Sequence, residues 1–318
     1  MPGKLICVFG GSGFVGRELV TRLARQGHEI IVPTRKRAGH EDLRVLQRVR
    51  VVEANIHNPI VLRRLLDNCD VAINLVGILN EPGRSKGQGF ANAHRLLTEK
   101  IVTACKSAGV GRLLHMSALH ASAAKGPSHY LKTKGQAEEY VRSNCPPDVN
   151  FTIFQPSVIF GKGDGFINRF AALLKLAPLL PLAKPNARFQ PVYVGDVCDA
   201  FVQSIDDANC YGKTYPLVGP RTWSLREIVT YIASCLDRRR LIIGLPDSLS
   251  ALQARIFEWV PGKPFSVDNL KSLGVDSISS ENGLQHFGIM PRSMESIVPD
   301  LLRGKDQNSH FSRLRKRL

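Results

Sequence analysis

The sequence predicts a doubly wound α/β fold, a parallel β-sheet covered by helices on both faces, followed by a smaller mixed C-terminal lobe. Three observations indicate this architecture. Short apolar runs alternate with amphipathic helical patterns through the first half of the 318 residues, as in such sheets. A glycine-rich stretch, "GGSGFVG", directly follows the first apolar run. The run "DVAINLVGIL" is almost continuously apolar, as expected of a strand buried on both faces.

The predicted elements follow one another in a regular order. The first strand covers "KLICVFG", and the next helix begins near Phe14 and ends at Gly27. The helix after the third strand begins at Pro59, a residue favoured at the first helical position. A long α-helix is predicted from Phe90 to Ala108. The other strands are predicted at "EIIVPTR", "RVVEAN", "DVAINLVGIL", "GRLLHMSAL" and "VNFTIFQPSVIF".

The regular alternation of strands and helices changes after Pro156, where the predicted strands and helices are mixed and shorter in period. We therefore predict a dinucleotide-binding domain at residues 1–156, whose core sheet is shared with later segments, and a substrate-binding lobe at residues 157–302. Residues 303–318 form a basic tail. Within the lobe, Ser224 and Glu227 match a capping box and predict the start of a helix.

The composition excludes several classes of protein. No apolar run approaches the roughly 18 residues of a membrane-spanning helix, and the N-terminus reaches glycine too soon for a signal peptide. The seven cysteines are scattered and form no Cys-x-x-Cys pair, which argues against a disulfide framework and a zinc site. We therefore expect a cytoplasmic protein without a metal.

The chain is strongly basic, with a net charge of +16. The charge is concentrated in "TRKR" (34–37), "DRRR" (237–240) and the tail segment "RLRKRL" (313–318). Two interpretations stay open: solvated surface, or peripheral contact with the inner face of an anionic membrane. No helix-turn-helix pattern or aromatic-interleaved basic strand accompanies these clusters, so we do not expect nucleic acid as a partner.

The glycine turn predicts a dinucleotide site. Gly10, Gly13 and Gly16 match Gly-x-x-Gly-x-x-Gly between an apolar strand and an amphipathic helix. Glycine gives the turn its backbone freedom, leaves the surface near the pyrophosphate without side chains, and lets helix and strand pack closely. The phosphates would lie at the positive end of the helix that starts near Phe14. The alternative is a glycine-rich turn that serves packing alone.

The end of the second strand indicates which nucleotide is bound. A carboxylate there would accept hydrogen bonds from the NAD ribose, but the chain has "TRKR" at residues 34–37. A guanidinium can bind a 2′-phosphate bidentately. Arg35 therefore favours NADP(H), with NAD(H) as the alternative if the basic residues simply face water.

Tyr130 and Lys134 of "YLKTK" are the candidate acid–base pair. At i and i+4 they share one helix face, and Ser117 ends the preceding strand, where parallel sheets place their ligand crevice. The ordinary tyrosine pKa of about 10 is too high for acid–base catalysis at neutral pH. A nearby ammonium is expected to lower it by about three units. Ser117 would hold the substrate oxygen while Tyr130 gives or takes its proton, as hydride moves to or from the nicotinamide.

These motifs together resemble the extended or atypical short-chain dehydrogenases/reductases, an epimerase/dehydratase-like group with a Rossmann sheet. The resemblance covers nearly the whole chain, through "GGSGFVG", "NLVG", "FANAHRLLTEK", "YLKTK", "QPSVIFG" and "PVYVGDV". The stretches "PSVIFGKGDGFINRF", "LVGPRTWSLREI" and "HFGIMPRSMESIVPDLL" resemble in particular the group around the NAD(P)-binding accessory subunit of respiratory complex I.

The resemblance implies a role for each matching residue. Tyr130 is then the general acid–base and Lys134 binds the nicotinamide ribose. Ser117 orients the substrate, and Asn92 supports a proton relay. The implied cofactor-binding residues are Gly10, Gly13, Phe14, Val15, Gly16, Arg35, Asn55, Val76, Gly77, Tyr130, Lys134 and Pro156.

The sequence departs from that group at two points. Relatives usually carry aspartate near Asn55, the residue implied to lie beside the adenine. They also carry Arg-Pro where this chain has Gln155 and Pro156, which removes an ionic contact.

Three histidines at positions 94, 115 and 120 lack metal-ligand spacing, and we predict no ligand role for them.

Several functions are compatible with the sequence. The first is an NADP(H)-dependent oxidoreductase or epimerase-like enzyme acting on a carbonyl or hydroxyl group, with a hydrophobic quinone- or lipid-type substrate. The second is a non-catalytic nucleotide-binding accessory or assembly protein of a respiratory NADH dehydrogenase complex. The third is a sensor of the NADPH/NADP ratio.

Overall fold

The computed structural model describes residues 3–81, 87–260 and 265–303. The chain divides into two compact units, each formed by more than one segment. Unit 1 comprises residues 1–156, 195–217 and 279–289, and unit 2 comprises residues 157–194, 218–278 and 290–318. The basic tail segment 313–318, which the sequence singled out, lies outside the described residues. In the described ranges no helix is long and apolar enough to cross a bilayer.

Unit 1 is built on a seven-stranded parallel sheet, which confirms the predicted doubly wound α/β fold. Its strands are β1 Leu5–Phe9, β2 Glu29–Thr34, β3 Val49–Glu53, β4 Val71–Asn74, β5 Arg112–Met116, β6 Asn150–Pro156 and β11 Lys213–Leu217. They lie in the order β11-β6-β5-β4-β1-β2-β3. All neighbouring pairs are parallel, so the carboxyl ends of all seven strands lie at one edge.

Helices connect these strands, and apolar side chains at helical spacing hold them on the sheet. The helices of unit 1 are α1 Phe14–Arg25, α2 Glu41–Arg44, α3 Pro59–Leu65, α4 Gln88–Phe90, α5 Leu97–Ala108, α6 His129–Asn144 and α8 Val194–Gln203. The predicted helix from Phe90 to Ala108 is not uniformly α-helical, because Ala91–Leu96 form a π-helical segment. Short 3₁₀ helices cover Ala208–Cys210 and Gly283–Phe287.

Unit 2 is mixed, and its core lies among short strands and amphipathic helices. Its helices are α7 Phe166–Leu176, α9 Leu225–Cys235, α10 Asp247–Phe257 and α11 Val267–Ser272. Three two-stranded sheets pair β7 Ile159–Phe160 with β10 Val192–Tyr193, β9 Arg188–Phe189 with β12 Trp223–Ser224, and β8 Leu179–Leu182 with β13 Leu241–Gly244. The predicted capping box at the start of α9 is confirmed, since Ser224 and Glu227 cap each other's backbone. The substrate-binding role of this unit stays a prediction.

Candidate cofactor and active site

The glycine turn between β1 and α1 leaves backbone groups open for a phosphate. Gly10 has a φ of +79°, which side chains strongly disfavour, and its carbonyl accepts a hydrogen bond from Gly13 N–H at 3.0 Å. A Cβ on Gly16 would lie only 2.3 Å from Gly10 O, so this close approach requires glycine. Gly13 is the N-cap of α1 and supplies no side-chain cap, and the first turn holds no acidic residue. The N-terminal amides and the helix dipole therefore suit an anion.

The residues predicted to hold the adenosine end lie at the ends of β2 and β3. Arg35 is exposed directly after the buried Thr34. Asn55 is also exposed, and its side-chain oxygen accepts a hydrogen bond from His57 N–H at 3.0 Å. These positions are compatible with nucleotide contacts, and the binding roles of Arg35 and Asn55 stay predictions.

A carboxylate that sequence reasoning missed lies beside this site. Glu53 Oε2 accepts a hydrogen bond from the backbone N–H of Arg37 at 3.0 Å, because β3 pairs with β2 in a register that sets Glu53 opposite Thr34. The sequence shows no carboxylate at the end of β2 itself. Strand register, which the linear sequence does not give, brings one there from the neighbouring strand.

Lys134 joins the ends of β4 and β5. Its Nζ donates to Val76 O at 3.3 Å and to Met116 O at 2.9 Å, and a Cβ on Gly77 would lie 3.3 Å from it. The predicted residues Val76, Gly77 and Lys134 are thus brought together. Lys134 is only 3% exposed, and burial lowers its pKa to about 8, against the opposing charge of Glu138.

Tyr130 lies one turn earlier on α6, whose first turn is capped by Ser128. Its ring is half-buried and packs edge-on against Phe90 and His94. Burial raises the pKa of Tyr130 to about 12. The expected lowering by Lys134 is therefore wrong for the protein alone, because desolvation acts on the hydroxyl and the ammonium is bonded to two backbone carbonyls.

Ser117 follows β5 and is 2% exposed. Its backbone N–H donates to Phe154 O at 2.7 Å, which fixes the residue at the end of the sheet. Its hydroxyl finds no hydrogen-bond partner among the residues that the structure describes. An orphaned buried hydroxyl is unfavourable, and it leaves a donor and an acceptor ready for a ligand at this strand end.

The other predicted residues have different settings. Asn92 is exposed on the π-helical segment, and its amide oxygen accepts from Gln88 Nε2 at 3.3 Å. The proton-relay role of Asn92 stays a prediction. Pro156 ends β6 and accepts a hydrogen bond from Leu119 N–H at 3.0 Å. Phe14 and Val15 are half-buried in the first turn of α1.

The departure at Gln155 is compensated locally. Its Nε2 donates to Glu138 Oε1 at 2.7 Å, and Glu138 also pairs with Arg142 at 2.8 Å. A neutral amide thus contacts the buried carboxylate of Glu138 from the position where relatives usually carry arginine. Hydrogen bonds of this kind satisfy a buried charge without adding another ion.

The structural role of His94 is a second feature that the sequence did not predict. It is buried, its Nε2 accepts from Ile78 N–H at 3.1 Å, and its Nδ1 lies 2.9 Å from Thr133 Oγ1. The proton must therefore be on Nδ1, which donates to Thr133. Burial, then the charge of Lys134, lowers the pKa of His94 to about 2. This neutral histidine ties the segment after β4 to α6 between Tyr130 and Lys134, and no sequence pattern marked it.

A polar network continues beneath this region to His115. Asn74 lies opposite His115 in the β4–β5 register, and its Nδ2 is 3.2 Å from His115 Nδ1 and donates to Thr98 Oγ1 at 3.1 Å. Its side-chain oxygen accepts from Val76 N–H at 3.1 Å. Burial, followed by the charge of Lys134, lowers the pKa of His115 to about 3. The network therefore contains two neutral histidines around one ammonium.

Metal ligation does not explain these histidines. Within residues 3–81, 87–260 and 265–303, no group of three or more His, Cys, Asp or Glu is placed to hold a metal ion. His94 Nε2 and Nδ1 face a backbone amide and a hydroxyl, and His115 Nδ1 faces the side-chain amide of Asn74.

Comparison with known proteins identifies the family. The model of the NAD dependent epimerase/dehydratase family matches residues 6–215. The chain belongs to this family. It is 30% identical over 314 residues to mitochondrial NADH dehydrogenase (ubiquinone) 1 alpha subcomplex subunit 9 of Mus musculus, covering 95% of this chain and 81% of the relative. The predicted resemblance to this family and to accessory subunits of respiratory complex I is confirmed.

The chain is also similar to a protein named as an enzyme and to a solved structure that contains NAD. A ceramide reductase of Caulobacter vibrioides is 28% identical over 252 residues, covering 76% of this chain and 74% of the relative. The solved structure of MoeE5 in complex with UDP-glucose and NAD superposes with a TM-score of 0.75 at 16% identity, covering 95% of this chain and 99% of the other. At that identity the likeness concerns the fold alone.

The close approach at the glycine turn can be tested with two matched substitutions. Gly16→Ala should lower the free energy of unfolding by about 3 kcal/mol, because its Cβ would overlap backbone atoms that cannot move independently. Gly13→Ala should cost under about 1 kcal/mol, since its Cβ would meet only Gly10 O at 3.2 Å. Urea unfolding measures both values, and equal losses would contradict the packing role assigned to Gly16.

The buried histidines predict an acid-sensitive fold. Their folded-state pKa values of about 2 and about 3 lie below the ordinary value of 6.5, so the unfolded chain binds more protons below pH 6.5. Stability should therefore fall as the pH drops from 6.5 towards 3, with a contribution of about 1.4 kcal/mol per pH unit from each histidine.

Unfolding titrations at pH 5 to 6 check this contribution, since most carboxylates are still ionised there. His115→Gln should remove one of the two histidine contributions to the slope. The exposed His120, changed to Asn, provides the matched control because asparagine tolerates its positive φ. A slope that His115→Gln leaves unaltered would show that His115 is not a source of the acid sensitivity.

Proposed function

We propose that the protein is an NADP(H)-dependent reductase of a carbonyl group, with its reaction centre at Ser117, Tyr130 and Lys134. The observation that carries this proposal is the buried Ser117 hydroxyl without a partner among the described residues. It lies next in the chain to Met116, whose carbonyl holds the Lys134 ammonium at 2.9 Å. A structural role gives no reason for this orphaned hydroxyl, whereas a substrate oxygen would pair with it.

The residues present fit a dinucleotide. Gly10, Gly13 and Gly16 form a turn without side chains at the start of α1, and the open helix terminus suits the pyrophosphate. Lys134 would hold the nicotinamide ribose, and Arg35 the 2′-phosphate of the adenosine. When bound, the cofactor supplies the hydride of the reduction.

The side chains of the protein then position the substrate and supply the proton. The Ser117 hydroxyl donates a hydrogen bond to the substrate oxygen and fixes its position. The Tyr130 hydroxyl delivers a proton to the same oxygen. A pKa raised to about 12 keeps Tyr130 protonated at neutral pH, so the hydroxyl has a proton to donate.

A hydrophobic carbonyl compound is the proposed substrate. Two relatives have lipid-type substrates in their names, the ceramide reductase of Caulobacter vibrioides and a 2-alkyl-3-oxoalkanoate reductase of Stenotrophomonas maltophilia. The second is 22% identical over 258 residues. These names support a ketone on a long apolar chain or a quinone as the substrate.

The second candidate function is that of a nucleotide-binding accessory or assembly protein of a respiratory NADH dehydrogenase. Relatives named as subunits of that complex align with 95% of this chain. In such a protein the nucleotide would stabilise the fold, and Tyr130 would serve only as a packing residue against Phe90 and His94.

The preference for NADPH can be tested at the ends of β2 and β3. Arg35→Ala should weaken NADPH binding about ten- to a hundredfold, since it removes a charge-assisted bidentate contact, and should leave NADH binding nearly unchanged. Glu53→Gln should strengthen NADPH binding, because a carboxylate beside Arg37 N–H repels the 2′-phosphate.

Calorimetric titration of each variant with both nucleotides measures these changes. Arg64→Ala, an exposed arginine on α3, is the control for a general loss of positive charge. Equal affinity of the unsubstituted protein for NADPH and NADH would contradict the assignment of Arg35.

Removing the Tyr130 hydroxyl distinguishes the two functions. In a reductase, Tyr130→Phe should lower kcat about 10²- to 10⁴-fold and leave NADPH affinity unchanged, because the ring still packs on Phe90 and His94. Tyr140→Phe is the matched control, a half-buried tyrosine further along α6. The measurement is NADPH oxidation with a panel of long-chain ketones and quinones.

A deletion strain extends the test to an accessory role. If Tyr130→Phe restores function fully while Gly13→Trp, which obstructs the phosphate turn, does not, the protein acts as a nucleotide-binding subunit and the reductase proposal fails. Loss of function with Tyr130→Phe, together with retained function of Tyr140→Phe, supports the reductase.

A further inference from the structure

Unit 2 has a concentration of exposed apolar side chains. Trp259 is 77% exposed, Leu241 60% and Ile256 54%, values unusual for large apolar residues. Most of the large apolar side chains that are exposed in the described residues lie in two stretches of this unit, residues 176–179 and 241–260. They are Leu176, Leu179, Leu241, Ile243, Leu249, Leu252, Ile256, Trp259 and Val260. Where such side chains form one contiguous surface, that surface marks an interaction site.

The apolar residues of α10 form a stripe along one side of the helix. Leu249, Leu252 and Ile256 recur at spacings of three and four, so they share a helix face. Trp259 N–H donates to Ile256 O at 3.1 Å, which carries the stripe one turn further. The side that packs inward is formed by other residues, of which Ser250 and Ala254 are fully buried. The helix is therefore apolar on its outward side.

A two-stranded sheet adds to this stripe. In the β8–β13 register Leu241 lies opposite Leu179, and Ile243 opposite Pro181, so these four exposed side chains share one face. Gln253 of α10 donates from Nε2 to Pro181 O at 3.1 Å. This bond sets the helix beside the strand, and we call the combined surface of α10, β8 and β13 the α10 face.

The charges around the α10 face are segregated by sign. Arg255 lies about 80° from Asp247 and about 60° from Leu252 around the helix, so it borders the apolar stripe, whereas Asp247 lies on the opposite side. Asp247 is paired with Lys184 at 2.8 Å. The basic run 238–240 leads directly into β13, and Lys175 precedes Leu176. The border of the apolar surface is thus positively charged.

We propose that the α10 face binds the surface of an anionic lipid bilayer. An apolar stripe with a tryptophan at its edge and arginines along its border has the pattern of a helix that lies in the interface plane. The apolar side chains would enter the boundary between headgroups and acyl chains, and the arginines would pair with lipid phosphates. The inference does not depend on the proposed reductase activity.

The charge pattern selects the bilayer over other occupants. A second copy of the chain would bring an equally basic border against this one, since the net charge is +16, and like charges oppose such a contact. A basic protein partner is disfavoured for the same reason. An anionic bilayer meets both the apolar stripe and its positive border.

Vesicle flotation tests the proposal with the full chain. The protein should float with vesicles of equimolar phosphatidylcholine and phosphatidylglycerol, and much less with phosphatidylcholine alone. Raising the salt from about 0.1 to 1 M should weaken but not abolish binding, because screening affects the charges and not the apolar contact. Leu252→Glu and Ile256→Glu should each reduce partitioning about tenfold.

Two controls separate the α10 face from general effects. Val45→Glu and Ile60→Glu introduce the same change at exposed apolar positions of unit 1 and should leave partitioning unchanged. Truncation of residues 303–318 removes the basic tail. If truncation abolishes binding while Leu252→Glu and Ile256→Glu do not alter it, the tail is the membrane contact and the proposal fails. Melting temperatures of all variants should match that of the unsubstituted protein.

Tryptophan fluorescence gives a direct readout, since the chain has two tryptophans and Trp223 is buried. Anionic vesicles should shift the emission of Trp259 to shorter wavelength, and brominated lipids should quench it. Trp259→Phe should remove the shift. An unshifted spectrum at saturating lipid would overturn the proposal, as would a dimer that depends on Leu252 and binds no vesicles. Retention on native membranes that survives lipid exchange but not protease treatment would also overturn it, because it would assign the face to a protein.

Discussion

The buried ammonium of Lys134 is the constraint on which the candidate site depends. A cation with almost no contact with water needs acceptors, and the chain supplies the carbonyls of Val76 and Met116 from the ends of two adjacent strands. Its charge then acts on the surrounding groups. Burial and this charge together keep His94 and His115 neutral, and only a neutral ring can accept the Ile78 N–H. The neutral state of both histidines therefore follows from their burial first and from the charge of Lys134 second.

The π-helical segment Ala91–Leu96 is connected to the polar network near Lys134. The sequence between Phe90 and Ala108 has the spacing of one long α-helix, yet Ala91–Leu96 form a wider turn. There the His94 carbonyl accepts the Thr98 hydroxyl at 2.6 Å, and Thr98 in turn accepts from Asn74. Such turns are common at functional sites. Here the turn connects the backbone of a helix to the end of the central sheet.

The features that depend on short-range sequence patterns could be predicted. The alternation of apolar runs with helical patterns predicted the sheet, and the spacing of Gly10, Gly13 and Gly16 predicted the turn. The pairing of Tyr130 with Lys134 on one helix face was also predictable. Glu53 and His115 could not be found in this way, because strand register places them. The predicted lowering of the Tyr130 pKa was wrong, because that prediction considered the nearby charge of Lys134 but not the desolvation of the Tyr130 hydroxyl.

The structural contacts of Tyr130 and Lys134 weaken the argument that these two residues alone indicate catalysis. Lys134 fixes two strand ends and Tyr130 packs on two aromatic rings, so both residues have structural roles that an inactive protein would also need. Ser117 differs from them, because its buried hydroxyl bonds to no described residue. Leaving such a group unsatisfied costs about 1–3 kcal/mol, and alanine would avoid that cost without leaving a sizeable cavity. A protein that used the fold only for binding would gain stability from that change, so the hydroxyl of Ser117 is the stronger argument for chemistry at this site.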